Sequence, residues 1–170
     1  MGSITLVRHG QANSQATTEA EYDKLSDLGL QQAAWLGEHM RETGQHYDAV
    51  YTGSLHRQQQ TAIQWGAAQF KEDARFDEMR YLGVAEQMRD QFGVAVPKGY
   101  EEFSTHLPIT FAAWSEGKID NPPETFQSFQ QRISSALYDV AEQSDHAIIF
   151  TSGGVIGLAM QLAMDLDIGA

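Results

Sequence analysis

Three short stretches concentrate side chains suited to holding an anion: RHG at 8–10, YTGSLHRQQQTA at 51–62 and FTSGGVIG at 150–157. The first supplies Arg8 and His9, the second Arg57, and the third Ser152 and Gly153. Two guanidiniums grip phosphate oxygens in bidentate fashion. Gly-rich approaches to helix N-termini add backbone N–H donors that point at negative charge. A neutral imidazole beside such a clamp is a nucleophile near neutral pH, whereas a hydroxyl needs a base, and none is evident beside Ser152. Gly10 is expected to let the chain leave its strand without crowding the bound group.

The chain has no cysteine, which removes thiolate nucleophiles, zinc–thiolate sites and disulfides together. His39, His46, His56, His106 and His146 are scattered, with no pair at i, i+4, so no metal site and no cofactor are expected. His56 adjoins Arg57, but successive helical residues point about 100° apart, so its ring is expected to face elsewhere.

These residues need rigid elements to converge. Apolar runs at 4–7, 49–51 and 147–150 are short and bounded by polar or Gly residues, which suits strands buried on both faces of a mainly parallel sheet. Ligands gather outside the carboxyl ends of such strands. Helices are expected around Ala33, Leu36 and Met40, and from Ser54, as a cap, toward Phe70. Others are expected from about Val155 to Met164 with Ile156, Ala159, Met160 and Ala163 inward, and along Phe126, Phe129, Ile133, Ala136, Leu137 and Val140. Asn121, Pro122 and Glu124 read as the cap of the last of these. The pattern is α/β: a three-layer α/β/α sandwich with a mostly parallel central sheet. The chain reads as one domain over 1–170, with an insertion or cap region over about 82–121 rich in Gly and Pro.

With 170 residues and 42% hydrophobic composition there is room for one sizeable core. No stretch has the length of a membrane span and the first residues lack the pattern of a secretory signal, so a cytoplasmic location is expected and no membrane partner. A net charge of −12 argues against nucleic acid. A small anion still binds where a few of the 11 Lys and Arg converge, because local contacts outweigh a global charge screened beyond ~8 Å.

LVRHG, followed in order by LSDLGLQQAAWL, YTGSLHRQQQTA, FDEMRYLG and FTSGGVIG, resembles the histidine phosphatase superfamily, the phosphoglycerate mutase-like proteins. The resemblance implies the phosphoglycerate mutase-like fold and a phosphomonoester hydrolase that works through phosphohistidine. It assigns His9 as nucleophile, Glu78 as acid and base, and Arg8, Arg57, Ser152 and Gly153 as phosphate-binding, with Gln15 and Arg80 as candidates for substrate binding. The implied partner is phosphate or a small phosphorylated substrate, and homo-oligomers are compatible with the sequence.

The family usually carries a second histidine where this chain has Ser152, which brings no positive charge. Loss of one charge-assisted hydrogen bond costs about 1.5–3 kcal/mol. One alternative is therefore a catalytically impaired relative that binds phospho-ligands or partners. Another is mutase-type phosphoryl transfer, which Gln11 and Asn13 do not favour, since they depart from the mutase pattern after RHG. The resemblance also implies a further strand after the helix opened by GGVIG, without which an uncovered sheet edge would recruit a partner strand.

Overall fold

A computed structural model describes residues 2–13 and 18–164. The chain divides into two compact units, one from Met1–Glu78 with Arg132–Ala159, the other from Met79–Gln131 with the chain from Met160 onward.

The first unit is built on four parallel strands, β1 (Ser3–Arg8), β2 (Ala49–Thr52), β3 (Lys71–Glu72) and β4 (His146–Thr151), in the order β1-β4-β2-β3. The helices are α1 (Glu19–Tyr22), α2 (Asp27–Glu42), α3 (His56–Trp65), α4 (Tyr81–Phe92), α5 (Tyr100–Ser115), α6 (Phe126–Gln143) and α7 (Gly153–Met164). The three short apolar runs are strands as expected. β3 carries only an exposed Lys-Glu pair and has no pattern to read.

β4 is the sheet's buried strand, with Ile148, Ile149 and Phe150 fully enclosed. Each such side chain contributes about 1.5–3 kcal/mol by leaving water. Val7, Met40, Ala62, Ile148 and Phe150 form one cluster, against which Leu36 and Trp65 pack. The register sets Arg8 opposite Thr151. One residue further, the His9 amide donates to Thr151 O at 2.9 Å, so β1 and β4 release the chain at the same level. β2 ends beside them, with Gly53 N donating to Phe150 O at 3.3 Å.

Three expectations need correcting. α6 is capped by Thr125, whose Oγ1 accepts from Ser128 N at 3.1 Å, while Asn121 lies outside the helix at φ 46°. Two prolines separate Asn121 from a helix start that a hydroxyl supplies four residues later. α7 buries Val155, Leu158 and Ala159, while Met160 is exposed, because an almost wholly apolar helix carries no phase to read. α3 ends at Trp65 rather than near Phe70, where Gly66 turns left-handed at φ 114°.

The second unit holds all of 82–121 and is wider at both ends. It is largely helical. The buried stripe of α5 is His106, Thr110 and Trp114, so helical spacing is present but two of its three members are polar. Trp114 packs on Phe126 and Phe129 with ring centroids 5.2 and 5.3 Å away, and its Nε1 donates to Glu124 O at 2.7 Å. No helix among the described residues is long and apolar enough to cross a membrane.

Candidate active site

His9 sits immediately past β1, and both ring nitrogens are engaged. Nδ1 lies 2.8 Å from Gly10 O, and Nε2 accepts from Arg57 Nε at 3.2 Å. A carbonyl only accepts, so Nδ1 carries the proton and Nε2 keeps its lone pair. Burial lowers the pKa of the ring to about 4, and the nearby charges of Arg57 and Arg8 push the same way against the Gly10 hydrogen bond and Asp23. The imidazole is therefore neutral at physiological pH, with its unprotonated nitrogen facing a cation.

Arg57 is buried at the start of α3 and is held from below by Asp23, whose Oδ1 accepts from Nη1 at 2.9 Å. The same carboxylate accepts the amides of His56 at 2.9 Å and Arg57 at 3.2 Å. Asp23 thus caps α3 across the chain. Leu55 occupies the local cap position with no side-chain bond, and the Ser54 hydroxyl donates instead to Asp77 Oδ2 at 2.6 Å. Ser54 is not the helix cap, because Asp77 holds it. The Tyr22 ring lies under the guanidinium, 5.2 Å from Cζ to centroid. Asp23 was not expected from the sequence, since an acidic residue in a polar loop carries no local signal of a partner 34 positions away.

The rest of α3 braces the loops around His9. Thr61 Oγ1 accepts from Gly10 N at 3.1 Å, and Gln60 Oε1 from Leu25 N at 2.9 Å. Gly10 crosses the backbone of Gly29 in α2 so closely that a Cβ would strike it. The crowding that Gly10 relieves here is the packing of the chain against α2. Gln11 is tied down as well: its Oε1 accepts from Ser26 Oγ at 2.7 Å, beside the Ser26 cap of α2.

Arg8 reaches over the start of α7, its Nε 3.7 Å from the position a Gly153 Cβ would take. Glu78 approaches the same turn, its Oε2 accepting from Gly154 N at 2.8 Å. A Cβ on Gly154 would collide with that carboxylate, which gives the second glycine of the pair its reason. Ser152 is fully buried, and its Oγ accepts from Gln58 Nε2 at 2.8 Å. That bond differs from the expected anion contact. Arg8, His9, Arg57, Glu78, Ser152 and Gly153 all belong to the first unit, whereas Arg80 is exposed at the N-cap of α4 in the second. Gln15 lies outside the described residues. Among the described residues, no group of three or more His, Asp or Glu side chains is placed to hold a metal ion.

Residues 4–170 match the histidine phosphatase superfamily (branch 1). The chain belongs to this superfamily. Solved structures of the same fold include phosphoserine phosphatase from Entamoeba histolytica in complex with 3-phosphoglyceric acid, at 19% identity and TM-score 0.66, covering 98% of this chain and 81% of that one. Phosphoglycerate mutase from Bacillus anthracis matches at 16% identity and TM-score 0.66, over 98% and 82%. Mycobacterial glucosyl-3-phosphoglycerate phosphatase matches at 20% identity and TM-score 0.63, over 96% and 79%. A comparison with curated proteins finds no match. At these identities the likeness carries the histidine phosphatase fold, and the chemistry rests on the residues themselves.

Proposed function

We propose that this histidine phosphatase family member is a phosphomonoester hydrolase acting through phospho-His9. The observation that carries the reading is the state of His9: a neutral ring fixed by Gly10 O with its Nε2 pair directed at the buried Arg57 guanidinium. A phosphoryl group drawn to Arg57 and Arg8 meets that nitrogen without a separate base to activate it. The exposed start of α7 at Gly153, over which Arg8 lies, turns the positive end of that helix toward the same anion, with the Gly154 N–H already given to Glu78.

In the first half-reaction His9 Nε2 bonds to phosphorus, the P–O ester bond breaks and Glu78 gives its proton to the departing oxygen. In the second, Glu78 takes a proton from water, the hydroxide attacks phosphorus, the N–P bond breaks and inorganic phosphate leaves. Two solved structures of the same fold, a phosphoserine phosphatase and a glucosyl-3-phosphoglycerate phosphatase, support a small phosphorylated substrate. A second reading, anion binding with impaired turnover, is favoured by the Ser152 hydroxyl, which is engaged by Gln58.

The deciding experiment incubates wild type and His9→Ala with a panel of phosphomonoesters and measures released phosphate and acid-labile phosphoprotein. Turnover in wild type that His9→Ala lacks is the expected result. Folded wild type that forms neither product overturns the hydrolase and leaves the binding protein.

A further inference from the structure

We propose that Gln58 is a positioning residue that, together with Ser152, fills the space of the second histidine expected at 152 and holds Glu78 in working geometry. The proposal rests on the phosphohistidine reading.

Gln58 is completely buried one residue past Arg57 on α3. Its amide nitrogen makes two bonds, to Ser152 Oγ at 2.8 Å and to Phe76 O at 3.2 Å. The first fixes the residue that joins β4 to α7. The second fixes the turn that delivers Glu78. Phe76 O also accepts from Thr151 Oγ1 at 2.6 Å, and Arg132 Nη1 donates to Arg75 O and Asp77 O at 2.7 and 2.9 Å. Asp77 is bound to Ser54 on its other side. Every backbone carbonyl named here lies within three residues of Glu78, and Gln58 links that turn to both α3 and the end of β4.

The sizes around the carboxamide are complementary. A Cβ on Gly53 would run into Gln58 Oε1, and Ser152 is small and has no exposed surface. A glycine and a serine therefore flank the space that the long neutral side chain fills. An imidazole at 152 has no room while Gln58 is present, because cores at this density do not absorb several extra heavy atoms without strain. Position 58, not the neighbouring exposed His56, answers the missing histidine. The buried Oε1 has no partner among the described residues, so the carboxamide is retained at a cost and its two donated bonds carry its value.

The test compares wild type, Gln58→Ala, Ser152→His and the double variant in melting temperature, kcat, KM and inhibition by inorganic phosphate. Gln58→Ala is expected to lower kcat about ten- to a hundredfold by displacing Glu78. KM and phosphate inhibition should stay within about threefold, because the Arg57–Asp23–His9 contacts do not pass through Gln58. Ser152→His alone should melt lower than wild type, and adding Gln58→Ala should raise both its melting temperature and its kcat above either single variant. If Gln58→Ala fails to fold, Gln58→Met, which keeps the volume and removes the donors, carries the kcat measurement.

Wild-type kcat in Gln58→Ala or Gln58→Met overturns the proposal. So does a Ser152→His protein as stable and active as wild type, or additive effects in the double variant. Wild type that forms no phosphohistidine overturns the hydrolase reading and the positioning role with it, a result distinct from an active wild type indifferent to Gln58.

Discussion

His9 and His106 are both imidazoles withdrawn from water, one in each unit, and burial lowers the pKa of both. Their surroundings otherwise differ. His9 has a carbonyl on Nδ1 and a guanidinium on Nε2, so its tautomer is set and its lone pair faces a place for negative charge. At His106 the hydroxyls of Tyr81 and Thr110 converge on Nδ1 at 2.7 and 2.8 Å, and Nε2 is buried without a partner among the described residues. The Tyr81 phenol is itself pushed up to about 12 by burial. Burial alone makes an imidazole neutral. A fixed tautomer beside an anion clamp makes it a nucleophile.

The largest effect separates the two rings directly. His9→Ala should lower turnover roughly a thousandfold or more. Peptide mapping of the acid-labile label should place it on His9 in wild type and in His106→Gln alike; label on His106 would break the contrast. Asp23→Asn leaves one acceptor oxygen for the two α3 amides, sets a donor where the other stood and removes the charge under Arg57, and should lower kcat/KM about tenfold with a small fall in melting temperature.

A third measurement follows each ring through acid by NMR. His9 should titrate with a midpoint of about 4 in wild type and higher in Arg57→Gln, while His106 keeps its own midpoint in both. The sign for stability follows from the depressed value. Above the unfolded pKa of about 6.5 both states are neutral. As pH falls from there toward about 4, the unfolded chain gains a proton that folded His9 refuses, so stability declines across that window and levels off below it. The smallest effect belongs to Tyr81→Phe, which removes one hydroxyl from His106 and should cost about 1 kcal/mol in urea unfolding without moving the His9 titration.

Much of this was legible in the chain. Short apolar runs bounded by polar residues announce β1, β2 and β4, and the α6 stripe keeps one phase over four turns. RHG and the glycine pair stand out because their residue types are ill-suited to simple packing. The signal fails where a buried face is polar, as in α5 with His106 and Thr110, and where it is apolar all round, as in α7. It fails again for Asp23 and Gln58, whose side chains look like ordinary solvent-facing residues until distant segments arrive.

By itself the sequence determined which residues end the strands and that one imidazole, two guanidiniums and a glycine pair occupy those ends. That is local information, carried by residue type and by alternation along a strand. Only the tertiary structure decided that Asp23 rather than Ser54 caps α3, that Gly10 answers to Gly29, and that Gln58 fills the space beside Ser152. Each is a contact between residues far apart in the chain, where the choice depends on matching volumes and hydrogen-bond partners that no single segment contains.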